Sequence, residues 1–189
     1  MLFVIVRSGL SPRLASESLE AGENRLDKII EIIEACRFSV HDLSRAIATE
    51  EGESFRMNMP FELGLDMGRR RAPDPDTNDK KFLIFEKEPY ELKRCLSDLN
   101  GVDVAFHRED YQLIIKKLRD FLRVEADCVL PGATALDDEY ATFQGWMTEK
   151  KIGEGHTEQE ALELPTQERL DEMISWMNAG RPNEYMPTA

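Results

Sequence analysis

The chain predicts an α/β fold, a parallel sheet flanked by helices and followed by a helical extension, and three observations carry that expectation. Short β-prone runs alternate with amphipathic segments of helical period from Asn24 to about Leu122, the pattern that builds βαβ units and a parallel sheet. Beyond Val124 the strand-like runs stop and helical stripes continue. The 41% hydrophobic and 32% charged content over 189 residues suits one full core with an appendage better than two complete domains. The boundary is expected at 124, giving an α/β domain over 1–124 and an acidic helical extension over 125–189.

Leu2-Phe3-Val4-Ile5-Val6 fits either a buried strand or the last turns of a helix, because a run this short has no resolvable period, and Gly9 suits a turn or a helix C-cap. Leu26, Ile29, Ile30 and Ile33 recur at i, i+3, i+4 and i+7, which predicts a helix between Asn24 and Arg37. Phe38 to Leu43 then reads as a strand, and Ala46 to Met57 as a polar loop. Pro60 can open the next helix, since its missing N–H is not needed in a first turn, and Phe61 to Arg71 continue it until Pro73 and Pro75. Lys81 to Phe85 is a buried-strand run, Pro89 to Leu99 contains a helix, Val102 to Phe106 forms another strand, and Tyr111, Ile114, Ile115, Leu118 and Leu122 line a long helix. Leu130-Pro131-Gly132 reads as a linker. Three helices follow: one carrying Tyr140, Phe143 and Met147, one with a Thr157/Glu160 capping box, one carrying Leu170, Met173, Ile174 and Met177. Their methionines and Trp146 and Trp176 are expected to pack on the main domain.

The net charge of −13 is concentrated in the tail: residues 1–122 carry 19 basic and 23 acidic side chains, residues 123–189 carry 5 and 14. Such a field repels a phosphate backbone and argues against nucleic acid as partner. Arg69-Arg70-Arg71, the one compact basic run, reads as a helix C-terminus complementing the macrodipole. No apolar stretch is long enough for a membrane span and no signal peptide stands at the start, so a cytoplasmic protein without membrane contact is expected. Cys36, Cys95 and Cys128 are far apart, and His41, His107 and His156 form no metal-ligand or triad spacing. Reduced thiols, no metal and no bound cofactor are therefore expected.

The stretch most suggestive of chemistry is Met57-Asn58-Met59-Pro60-Phe61-Glu62-Leu63-Gly64-Leu65-Asp66-Met67-Gly68, preceded by Val40-His41-Asp42-Leu43-Ser44-Arg45. With Pro60 near the first helical position, Glu62 is expected in the first turn, where the helix dipole favours its ionised form. Phe61, Leu65 and Gly68 are expected to face the sheet, with Glu62, Asp66 and Arg69 on the opposite stripe. Gly64 and Gly68 are expected to let a backbone or ligand approach closely. Asp42, Ser44 and Arg45 fall at the carboxyl end of a predicted strand, the edge where open α/β sheets bind ligands. A carboxylate facing an anomeric carbon can stabilise or attack an oxocarbenium-like centre, and a nearby arginine can hold phosphate. Each residue also has a plainer role open to it: Glu62 as a dipole-complementing carboxylate, Asp42, Ser44 and Asn58 as turn or cap residues, Arg45 as a surface ion-pair partner.

Through "RLDKIIEIIEACRFSVHDLSR" and "FRMNMPFELGLDMG" the chain resembles, over roughly residues 1–122, a widespread group of bacterial proteins related to nucleoside 2-deoxyribosyltransferases and TIR-type NAD-cleaving domains. The resemblance implies a flavodoxin-like sheet. Members of the group begin with a further strand ahead of the helix in which this chain starts, so it also implies a sheet lacking its first strand, with a helix over 2–8 and a strand over 12–16. In deoxyribosyltransferases and catalytic TIR domains a glutamate at the start of such a helix is the catalytic carboxylate, which the match places on Glu62; from their positions at the strand end and the helix start, Asp42, Ser44, Arg45 and Asn58 are expected to bind substrate. The expected function is cleavage or transfer of an N-glycosidic bond of a nucleotide or NAD, as an NAD hydrolase or a deoxyribosyltransferase. The alternative is a non-catalytic nucleotide-binding or protein-interaction module of bacterial defence signalling, pairing with itself or with a protein through its C-terminal helices.

Overall fold

A computed structural model describes residues 1–17, 22–45, 57–72 and 79–186. Among these residues the sheet has three strands, β1 (Phe38–Asp42), β2 (Lys81–Glu86) and β3 (Ala105–Phe106), all parallel and in the order β1-β2-β3. Phe38 pairs with Lys81 and Asp42 with Phe85, while Glu86 pairs with Phe106, so all three strands end along one row. The parallel α/β class is thus the one expected from alternating strand and helix patterns.

The helices are α1 (Leu2–Arg7), α2 (Arg25–Ala35), α3 (Asn58–Arg70), α4 (Glu91–Cys95), α5 (Tyr111–Glu125), α6 (Ala133–Gly153), α7 (Glu158–Leu162) and α8 (Thr166–Asn178), with a 3-10 turn at Ser97–Leu99. Asn24 caps α2 by accepting the Leu26 N–H at 2.9 Å, and Thr157 with Glu160 forms the expected capping box on α7. The chain divides into two compact units, one of residues 20–117 and one of residues 1–19 and 118–189. The division falls inside α5 rather than at 124, and the N-terminal segment groups with the C-terminal helices.

In the first of these units, Leu43, Leu63, Ile84 and Leu92 form the buried core, with Met59, Met67, Phe82 and Val104 packed against it. In the second, Phe3 of α1 joins Phe143, Trp146 and Met147 of α6, Leu164, and Met173 and Trp176 of α8. The two tryptophans therefore belong to a core made by their own helices and α1. On α8 the buried stripe is Leu170, Met173 and Trp176, while Ile174 is exposed. An ionic cluster joins α6 to α8: Lys151 Nζ lies 2.8 Å from both Glu168 and Glu172, and Lys150 lies 2.7 Å from Glu172.

Several expectations from sequence are corrected. No strand forms over 12–16: Gly9 (φ +83°) ends α1 in a left-handed cap, with the Gly9 and Leu10 N–H groups bonded to the Val6 and Ile5 carbonyls. Arg13 and Glu17 then close a turn by an ion pair at 2.6 Å instead of extending. The segment after β2 is shorter than the expected helix, because Leu96 (φ −127°, ψ 67°) breaks it after Cys95. Val102 turns back onto Leu99, which leaves β3 only two residues. The expected polar loop falls mostly on residues 46–56, outside the described residues.

In α3 the burial differs from the expected face. Leu63 and Asp66 are buried and Phe61 is exposed; an added Cβ at Gly64 or Gly68 meets nothing within 4 Å among the described residues. Among these residues neither glycine serves a close approach. Replacing either by alanine should therefore stabilise the protein by about 0.5–1 kcal/mol through helix propensity, read by denaturant unfolding; a loss of stability would show that something does occupy that space.

Candidate functional site

The carboxyl row of the sheet continues as Leu43-Ser44-Arg45 after β1, Lys87-Glu88 after β2 and His107-Arg108-Glu109 after β3. Backbone bonds beyond the strands hold these ends together: Leu43 N–H to Phe85 O at 2.8 Å, His107 N–H to Glu86 O at 3.1 Å and Arg108 N–H to Lys87 O at 2.9 Å. The side chains that follow are consequently brought together although they are remote in sequence.

Asp42 and Ser44 are neighbours there, since Asp42 Oδ1 accepts the Ser44 N–H at 3.0 Å. His107 Nε2 stands 3.5 Å from the same oxygen. Its other nitrogen, Nδ1, accepts the Glu109 N–H at 3.0 Å, which places the ring proton on Nε2. That Nε2 is buried and has no hydrogen-bond partner among the described residues. Sequence reasoning set His107 aside because the histidines lie far apart; the signal it left unused is that the first residue past each strand of a parallel sheet converges on one row.

Arg108 and Glu109 sit at φ 49° and 60°, and Tyr90, after β2, at φ 72°. Left-handed backbone is strained for residues with side chains, and such strain clusters at functional sites. The carboxylate of Glu86, buried, fixes the Tyr90 turn by accepting the Tyr90 and Leu92 N–H groups, each at 2.9 Å. Lys87 bonds Glu109 at 2.8 Å; that bond raises the lysine pKa and lowers the glutamate pKa, and Arg45 adds a smaller lowering on Glu109 by its charge. Arg45 thus lies within electrostatic reach of this cluster.

Asn58 and Glu62 stand on α3. Met57 is the N-cap and Asn58 the first helical residue, so Asn58 does not cap the helix; Pro60 is third, and Glu62 falls beyond the first turn instead of within it. Glu62 is half-buried. One turn further on, Asp66 is fully buried, contrary to its expected solvent-facing position. Its Oδ2 lies 3.0 Å from His41 Nε2 on β1, and the Ser39 side chain bonds it as well. Lys80 Nζ stands 3.0 Å from Oδ1 in ion-pair contact, without the alignment of a hydrogen bond, while donating at 2.5 Å to the carbonyls of Ile33 and Cys36 at the end of α2. Burial pushes the Asp66 pKa up, but the hydrogen bonds from His41 and Ser39 and the contact with the charged Lys80 together bring it below the usual value. This buried group ties α2, α3, β1 and the start of β2 to one carboxylate.

Arg69 pairs with Glu34 at 3.5 Å and Arg70 lies over the Phe82 ring at 5.3 Å, so two members of the basic run serve the last turn of α3. Cys128 is a free thiol. Among the described residues no helix is long and apolar enough to cross a membrane. Compared with protein-family models, curated proteins and solved structures, the chain matches none.

Proposed function

We propose that residues 20–117 hold a nucleotide or NAD-type molecule at the carboxyl row of the sheet and cleave or transfer its N-glycosidic bond, with Glu62 facing the anomeric carbon. The observation that supports this reading is the placement of Glu62. Because β1 and β2 are parallel, α3 returns antiparallel to them, and Asp66 is pinned to His41 on β1. Glu62 therefore lies four residues, about 6 Å of rise, closer to the row where Asp42 and Ser44 sit. Unlike Asp66, it has no ion pair or hydrogen bond among the described residues, so its half-buried carboxylate is not committed to the fold. Asp42 and Ser44 are positioned for sugar hydroxyls and Arg45 for phosphate.

The test is incubation of the protein, beside a Glu62→Gln variant, with NAD and a panel of nucleosides and nucleotides, following release of nicotinamide or free base by chromatography. Release is expected from the parent and should fall by at least about a hundredfold in the folded variant. Binding without release by either protein would instead make the site a non-catalytic nucleotide module, and neither binding nor release would end the nucleotide reading.

A further inference from the structure

We propose that His107 is a positioning residue for Asp42, holding one carboxylate oxygen so that the other is offered to a sugar hydroxyl of the ligand. The inference rests on the nucleotide reading of the same row and adds a residue and a mode of recognition to it. His107 is 4% exposed and its ring lies edge-on to Phe85, 6.0 Å between centroids, so it cannot swing freely. Its Nδ1 is explained by the 107–109 turn, where it accepts the Glu109 N–H. Its Nε2–H is not explained by the turn: it is buried, lacks a hydrogen bond among the described residues, and its nitrogen lies 3.5 Å from Asp42 Oδ1. An unmet buried donor is unfavourable, and catalytic or binding hydrogen bonds that are long in a free protein commonly tighten in the complex.

Asp42 is the natural partner for that tightening. Its side chain is one-third exposed, and Oδ1 already takes the Ser44 N–H from within the protein. With Oδ1 turned inward toward two donors, Oδ2 is the oxygen left to accept from outside. A carboxylate oxygen accepts but cannot donate, so the ligand group it selects is a donor, and on a nucleotide's sugar that is a hydroxyl. A hydroxyl seated on Oδ2 would draw the carboxylate into its final orientation and close the His107 bond, coupling the two contacts.

The test uses adenosine 5′-monophosphate as probe, by calorimetry, with the full chain. His107→Leu and His107→Gln both remove the acceptor for the Glu109 N–H, but only the glutamine keeps an N–H that reaches the Nε2 position. The leucine variant should bind about tenfold more weakly or worse, and the glutamine variant should stay within about threefold of the parent. The parent should also lose affinity for 2′-deoxy- or 3′-deoxy-adenosine monophosphate, and that penalty should vanish in His107→Leu. Equal weakening in both variants, or no weakening in either, would overturn the positioning role; equal binding of all three nucleotides would overturn the hydroxyl contact. A ligand-free measurement separates this inference from the one beneath it. In histidine-labelled protein the His107 nitrogen signals should report the Nε2–H form and move in Asp42→Asn. An Nδ1–H form, or indifference to Asp42→Asn, overturns the pair even where the nucleotide binds. The expected signals with no nucleotide binding leave the pair intact but overturn the nucleotide reading and, with it, the ligand half of this inference.

Discussion

Asp66→Asn should cost the protein about 3–5 kcal/mol of unfolding free energy, because it removes the anion from a buried pair and leaves the Lys80 ammonium without its counter-charge. The substitution keeps the side chain's shape, so cavity formation contributes little. What is lost is the charge that holds His41, Ser39 and Lys80 around one fully buried position. The effect carries a pH signature. The folded pKa of Asp66 lies below its ordinary value of 3.8, so its stabilisation is fully present above that value and is lost as pH falls through the lower folded one. Denaturant unfolding of parent and variant should therefore show their difference largest near neutrality and shrinking in acid below 3.8. A loss under about 1 kcal/mol would show that the pair's Coulomb gain does not exceed its desolvation cost, in which case a double Asp66→Leu, Lys80→Met variant would be as stable as the parent.

Trp176→Ala should be of similar size, about 3–5 kcal/mol, through loss of a large buried ring from a core that cannot fully collapse around the gap. The indole is 1% exposed, lies 5.8 Å from the Phe143 ring and 5.9 Å from that of Phe3, and donates its N–H to the Pro182 carbonyl at 2.9 Å. Trp176→Phe keeps most of the apolar contact and forfeits the hydrogen bond, so it should lose less, about 1–2 kcal/mol. Hydrogen exchange read segment by segment locates the damage. Loss of protection confined to residues 1–19 and 118–189 is expected; uniform loss across β1 and β2 as well would mean that the two units unfold as one.

Strands and helices with a clear period were legible in the sequence, and their registers were not. Ile29 and Ile33 of α2 are buried as their spacing required, and the β1 and β2 runs stand within a residue of expectation. The fold class followed from that alternation. Glu62 was misplaced in the first turn of α3 because Pro60 suggested the helix start, whereas the helix begins two residues earlier at Asn58. Residues 63 and 66 fill the core, and the carboxylate among them gave no hint of burial, since its partners Lys80 and His41 are distant in sequence. At the candidate site, Asp42 and Ser44 were visible as strand-end polar residues. His107 was not, because β3 has only two paired residues and the contact that gives the ring meaning crosses the sheet. The strand imagined at 12–16 failed for a local reason, a left-handed glycine followed by an i,i+4 ion pair that favours a turn.

The grouping of α1 with α6 and α8 also has an order in time. A ribosome releases residues 1–19 before residues 20–117, yet Phe3 cannot find Phe143 and Trp176 until that whole stretch and α6 to α8 have been made. The uninterrupted stretch between them meets no such delay, and its β1-β2-β3 pairings join strands consecutive in the sequence. Vectorial synthesis thus favours the sheet unit folding while α1 waits, apolar and unpartnered, for the helices that will cover it. The aromatic core closes only after residues 20–117 have been made, and the interval before it closes is when the nascent α1 is most exposed to aggregation.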